Sequence, residues 1–239
     1  RKLVMKNIRH LKRKLKYKFK FFSKNENTKL NYVVNATSNS ELTDLMNLYG
    51  SDKGGKNNHH NYSEYYSDIF FHKRKSIKNF LEIGLGTNNT NMASNMGADG
   101  TPLASLRAWK DYFINANIYG ADIDMDILKD EERIKTFFVD QTNPDTIIAM
   151  FNKIAVDKFD IILEDGLHEY NANICFFENS IKYLDDDGIY IIEDIYYKDK
   201  KKFINYFKKL KYNFSIVDIF HEENISNNII VIIRKNGTQ

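Results

Sequence analysis

At 239 residues, 42% of them hydrophobic, the chain suits one domain with additions, or at most a domain plus a cap. It contains no apolar run long enough to span a membrane and no signal-peptide pattern, and its single cysteine excludes an intrachain disulfide framework and a cysteine zinc cluster. The net charge of +3 is uneven: residues 1–24 carry eleven Lys or Arg and no acid, leaving 24 basic against 32 acidic residues, a body too acidic for a nucleic-acid enzyme.

Residues 1–22 have a broken apolar stripe, Leu3, Ile8, Leu15 and Phe19, and predict a basic helix. Such a tail is either a solvated helix, the favoured reading, or a contact for an anionic membrane surface or a partner. The chain opens on Arg1 rather than Met, which leaves room for an upstream start and a targeting segment. Asn-rich residues 25–40 read as a linker, giving a first segment over 1–40. Glu41–Gly50 predicts a short helix ended by Gly50, and SEYYSDIFF predicts a second, capped by Ser63. These form a helical cap over 41–76.

From residue 77 strands and helices alternate, and the core is expected to run over 77–239. The strands expected are Asn79–Ile83, Ile118–Asp122, Ile134–Val139, Phe159–Leu163 and Gly188–Ile192. Helices are expected near 103–114, 125–132, 144–155, 168–184 and 199–210. The strands are short apolar runs without polar alternation, as expected of parallel strands covered on both faces. NFSIVDIFH and NNIIVIIRK, joined by a short polar turn, predict a terminal hairpin. The fold class is therefore α/β: a doubly wound, Rossmann-like, mainly parallel seven-stranded sheet with a C-terminal antiparallel hairpin and an N-terminal helical extension. Cys175, in the apolar stretch NICFFENSI, reads as a buried structural thiol in a protein of the reducing cytoplasm. A membrane contact through the basic tail, the alternative to a solvated helix, would bring it to the inner face of the membrane. A homo-oligomer is compatible with the sequence but not specified by it.

The first strand of the core stops at Gly84-Leu85-Gly86, where glycines let the backbone turn tightly and approach a ligand. The third glycine of a dinucleotide fingerprint is replaced by Asn89, and a polar stretch delays the next helix, so a cofactor without phosphates is favoured. Glu82 precedes the glycines, a placement characteristic of S-adenosylmethionine enzymes. Asp122 and Asp124 end the next strand, where a carboxylate can accept two ribose hydroxyls, and Asp140-Gln141 end the third, where side chains can read an adenine edge. Each strand-end Asp is by itself also a helix-cap candidate.

The fourth strand ends at Glu164-Asp165, with His168 at the following helix start, and the fifth ends at Glu193-Asp194. Adjacent parallel tips would bring Asp165, Glu193 and Asp194 together, and three carboxylates in a small site call for a hard divalent cation such as Mg2+. His168 could then serve as general base. A capping His and solvated acidic pairs are the alternatives. Asp185–Asp187 are read that way, as a solvated turn with Gly188.

YGSDKG with HNYSEYY, LEIGLGT, TPLASLRAWKDYF, IYGADID, EDGLHEY and IIEDI, in that order, resemble the metal-dependent sugar O-methyltransferases of the macrocin and mycinamicin type, a pattern shared by bacterial surface-polysaccharide methyltransferases. The resemblance covers roughly Leu42 to Arg234. It implies S-adenosylmethionine and Mg2+ as cofactors, with Asp165, Glu193 and Asp194 as metal ligands and His168 as base, Asp165 sharing in catalysis. It implies Glu82, Gly84, Gly86, Ser105, Arg107, Asp122, Asp140 and Gln141 around the cofactor, and His60, Tyr62 and Tyr65 near the acceptor. The acceptor implied is a sugar or a phosphorylated precursor of a surface polysaccharide such as capsule. The family usually reads DDGSH with a second His downstream; this chain has EDGLH with Asn173, which leaves a second-base scheme without its residue. Two rival readings are a nicotinamide-dependent oxidoreductase, disfavoured by the missing glycine and the hairpin, and a non-catalytic binding protein, disfavoured by the intact acidic set.

Overall fold

The structure, a computed structural model, describes residues 31–34 (backbone only), 40–55, 60–210, 212–221, 224 and 226–235. The expected helix over 1–22 lies outside these residues.

In chain order the elements are β1 (Asn31–Val34), α1 (Glu41–Tyr49), α2 (Tyr62–Phe70), β2 (Asn79–Ile83), α3 (Ala104–Tyr112), β3 (Asn117–Asp122), β4 (Ile134–Phe138), α4 (Pro144–Ile154), β5 (Phe159–Glu164), α5 (Tyr170–Ser180), β6 (Leu184–Ile192), α6 (Lys200–Leu210), β7 (Asn213–Ile219) and β8 (Ile229–Arg234). The strands form one sheet in the order β1-β7-β8-β6-β5-β2-β3-β4. Only β8 runs against its neighbours, pairing antiparallel with β6 and β7. This is the expected doubly wound sheet with its terminal hairpin. The chain order reverses at β2, which lies between β3 and β5. That is the switch point at which such sheets open a crevice beyond the strands' carboxyl ends.

Strand residues alternate between two cores. Phe80, Ile118, Ile161, Leu163 and Ile191 face α1, α2 and α3, where Tyr66, Phe70, Trp109 and Phe113 pack ring on ring. Leu81, Ile83, Ile162, Tyr190 and Ile192 face α4, α5 and α6 through Phe151, Phe176, Phe177 and Phe207. The apolar runs are continuous because both faces are covered. The cap helices α1 and α2 therefore share one core with α3 and the sheet.

Several expectations need correction. Residues 31–34, placed in the linker, form a strand parallel to β7 at the sheet edge. Ser63 is not the cap of α2: Asn61 occupies that position, and the Ser63 hydroxyl instead bonds Thr43 Oγ1 at 2.9 Å, tying α2 to α1. The helix expected at 125–132 is a single 3-10 turn, Met125–Ile127. Asp130 takes the Thr136 N–H at 2.9 Å and closes a turn that competes with helix. Asp185–Asp187 belong to β6 rather than to a turn, because the strand begins at Leu184 and bulges against β5. Cys175 is half-buried against the α4–α6 core rather than fully buried.

Candidate active site

The carboxyl ends of β2, β3, β4 and β5 open on a cavity of about 540 Å³. Its wall on the β2 side is Gly84-Leu85-Gly86. Gly84 sits at φ +85°, and a Cβ there would run into the Asp165 carbonyl, so the turn passes directly against the β5 tip. Gly86, at φ +74°, faces Met96 in the same way. The Leu85 N–H donates to Asp122 Oδ2 at 2.6 Å and the Asp124 N–H to Oδ1 at 2.8 Å. Asp122 thus braces the glycine turn while lining the cavity, and burial raises its pKa against those backbone donors. Asp124 sits behind it, accepting from Thr87 Oγ1 and capping the 3-10 turn, and does not line the cavity.

Gly84, Gly86, Ser105, Asp122, Asp140, Gln141, Asp165, His168, Asp194 and His60 all border the cavity. Five expected site residues do not, Glu193 among them. Arg107 is paired with Glu131 at 2.7 Å and donates to the Pro102 carbonyl. Tyr65 is partly buried against the helical core. Tyr62 lies behind the lining, donating from its hydroxyl to Asp194 Oδ1 at 2.6 Å. Glu82 is fully buried beneath the wall; neither of its carboxylate oxygens has a hydrogen-bond partner, and burial pushes its pKa up to about 7 against the opposing charge of Lys53. Gln141 is more than a cavity wall. Its amide donates to Glu164 at 2.9 Å and accepts the Leu167 N–H, so it clamps the loop that carries Asp165 and His168. Asn173, in place of the family's downstream His, donates to the other oxygen of Glu164.

At one end of the cavity, ligand-capable atoms of Asp165, His168 and Asp194 all lie within 4.8 Å of one another. His168 Nε2 is 3.1 Å from Asp165 Oδ1 and 3.6 Å from Asp194 Oδ2. His168 (φ +61°) and Asp194 (φ +55°) both hold left-handed backbone, a strain of about 1–3 kcal/mol each that persists where the surroundings over-determine it. Glu193, expected as the third ligand, is not in this convergent set. Its oxygens are taken by the Tyr66 hydroxyl at 2.5 Å and Lys53 Nζ at 2.6 Å.

Lys53 was not anticipated. Its ammonium is buried, bonds Asp165 Oδ2 as well as Glu193, and lies 3.5 Å from Glu82. The residue belongs to the YGSDKG motif, but sequence alone assigns a lysine to the surface. Burial would lower its pKa; the charges of Asp165, Glu193 and Glu82 overcome this and raise it well above the ordinary value. Burial would raise Asp165, but Lys53 and His168 hold it well below the usual carboxylate range. Burial raises Glu193 and Asp194. For His168 burial acts downward, and the hydrogen bond to Asp165 with the charges of Asp194, Asp165 and Glu164 raises it to about 9.

The sheet order, the hairpin and the glycine turn at the switch point give the chain the Rossmann-like fold of methyltransferases. No protein-family profile matches it. It is 30% identical over 154 residues to the 8-demethyl-8-alpha-L-rhamnosyl tetracenomycin-C 2'-O-methyltransferase of Streptomyces olivaceus, covering 64% of this chain and 37% of that protein. It is 29% identical over 156 residues to the demethylmacrocin O-methyltransferase of Streptomyces fradiae, covering 65% and 36%. The match thus spans little more than a third of these curated relatives. Among solved structures, the MycE methyltransferase of the mycinamycin biosynthetic pathway, in complex with Mg and SAH, superposes with a TM-score of 0.54 at 28% identity over 66% of this chain and 37% of that one. Among the described residues, no helix is long and apolar enough to cross a membrane.

Proposed function

We propose that the chain is an S-adenosylmethionine-dependent, Mg2+-assisted O-methyltransferase acting on a sugar hydroxyl. The observation that carries this reading is the convergence of Asp165, His168 and Asp194 at one end of the cavity whose other wall is the glycine turn. The residues fit both groups. Hard carboxylate oxygens of Asp165 and Asp194, converging with His168, suit Mg2+. Asp122, Asp140 and the glycine turn suit a cofactor with a ribose and an adenine but no phosphate. Residues 77–239 are the catalytic core in this reading, and 41–76 the acceptor side, which contributes Lys53 and His60.

When bound, S-adenosylmethionine supplies an electrophilic methyl group and Mg2+ lowers the pKa of an acceptor hydroxyl. The chain contributes alignment and proton handling. Asp122 and the Leu85 N–H hold the glycine turn in one geometry, and Gln141 holds the Asp165–His168 loop in another. Taking a hydroxyl proton needs neutral imidazole, and His168 at about 9 is protonated near pH 7. His168 therefore becomes a base only when the charges of Asp165 and Asp194 are neutralised. Tyr62 and His60 steer Asp194, the first through its hydroxyl and the second from 3.4 Å.

The relatives modify sugars of natural-product glycosides by their names. Here the acceptor is a carbohydrate, either such a glycoside or a sugar precursor of a surface polysaccharide. Calorimetric titration with S-adenosylhomocysteine, with and without Mg2+ and with NAD as control, tests the reading. Micromolar binding of S-adenosylhomocysteine alone is expected; no binding, or preference for NAD, would overturn it.

A further inference from the structure

Lys53 and Glu82 have no part in the chemistry above, yet both are buried at its centre. The backbone of Lys53 is fixed by the 3-10 turn Asp52–Gly54, which starts on the Ser51 hydroxyl and is flanked by Gly50 and Gly55 in left-handed conformation. Its ammonium has three donors on a flexible four-carbon stem. Two bonds go to Asp165 Oδ2 and Glu193 Oε2. The next nearest acid is Glu82, 3.5 Å away, beyond a good hydrogen bond. Glu82 is 0% exposed and neither oxygen is hydrogen-bonded. A buried carboxylate left without donors is expensive, so the fold retains it against a sizeable cost.

We propose that Lys53 is a tethered counter-ion that neutralises Asp165 while no divalent cation is bound and shifts onto Glu82 when one binds. The inference rests on the reading that Asp165 and Asp194 take a divalent cation. An ammonium and a metal ion compete for the same Asp165 carboxylate, so a cation held there would displace Lys53. Closing the gap to Glu82 from 3.5 Å to the ~2.8 Å of a charge-assisted bond needs only a small swing of the stem. The shift exchanges the bond to Asp165 for one to Glu82 and keeps the bond to Glu193. The device accounts for both oddities together: a lysine buried among acids, and a buried acid whose counter-ion stands 3.5 Å away, beyond a good hydrogen bond. It also keeps the carboxylates gathered in the metal-free protein, since without the ammonium their repulsion would spread them.

The test is calorimetric titration of the whole chain with MgCl2, comparing wild type, Lys53→Met and Glu82→Gln, alongside thermal melting in EDTA. Lys53→Met removes the competitor, so Mg2+ should bind about tenfold tighter or more, the worth of one charged hydrogen bond lost from the competing state. Its metal-free Tm should fall and be raised further by Mg2+ than that of wild type. Glu82→Gln removes the receiving charge and should weaken Mg2+ binding about tenfold by the same reasoning. Unchanged or weaker binding by Lys53→Met, or unchanged binding by Glu82→Gln, overturns the proposal while wild-type binding leaves the metal reading standing. No binding by wild type overturns both. Should Lys53→Met fail to fold, ζ-15N-lysine NMR of wild type decides: one protected ammonium resonance must shift with MgCl2, and a spectrum that does not change refutes the exchange.

Discussion

Replacing Glu164 by Gln should make the protein more stable at alkaline pH and barely alter it in acid. The Glu164 carboxyl is 0% exposed, and among the described residues Gln141 and Asn173 donate to it. Burial raises its pKa from 4.5 to about 7 against those two hydrogen bonds. A folded-state value above the unfolded one means that the fold prefers the protonated acid. The associated stability is fully present below pH 4.5 and is lost as the pH rises through about 7. Ionisation then costs the fold under ~1 kcal/mol at pH 5 and roughly 3 kcal/mol at pH 8.5. Glutamine has no such cost. Its oxygen keeps the Gln141 bond, and Asn173 turns its amide to accept from the new nitrogen, a pH-independent adjustment of about 1 kcal/mol. Urea unfolding in EDTA at both pH values should show the difference between variant and wild type moving by about 2–3 kcal/mol in favour of the variant. A difference that does not change with pH would refute the reasoning, because only a buried ionising carboxyl makes it pH-dependent.

Gly84→Ala places a Cβ against the Asp165 carbonyl at φ +85°. The left-handed strain alone is about 1–3 kcal/mol, so differential scanning calorimetry should show Tm falling by about 5 °C or more, with S-adenosylhomocysteine binding lost. An unaltered Tm would mean the turn does not pass where it is drawn. Asp165→Asn removes a charge that holds both Lys53 and His168. Methyl transfer to a sugar acceptor should be abolished with S-adenosylhomocysteine affinity within about twofold, since Asp165 braces no part of the Asp122 wall. The His168 pKa, followed by NMR, should fall because two of the interactions raising it come from Asp165; an unmoved His168 would contradict the geometry.

Much of the architecture was already written in local pattern. Short apolar runs such as Ile161–Leu163 and Ile189–Ile192 are buried on both faces, and a residue string can say so because neither face is polar. Gly84 and Gly86 stand at a strand end because only glycine tolerates that turn, and the acidic tips Asp122, Asp165 and Asp194 line the cavity because parallel strands deliver their carboxyl ends to one edge. Local pattern misled where a side chain met something distant. Asp130 closed a turn that the 125–132 pattern did not reveal, and Ser63 spent its hydroxyl on Thr43 of another helix. Arg107, placed by resemblance at the cofactor, found Glu131.

The alternation of strands and helices, the glycine turn and the identity of the acidic tips were determined by the sequence, since each depends on neighbours along the chain. Only the tertiary structure decided that Lys53, 112 positions from Asp165 and 140 from Glu193, would sit between them. It alone decided that Gln141 would clamp the loop of Asp165 and His168 and that Glu82 would be buried 3.5 Å from Lys53. The physical reason is that a polar side chain is assigned to the surface by its own chemistry and is drawn inside only by charges that another part of the chain brings to it.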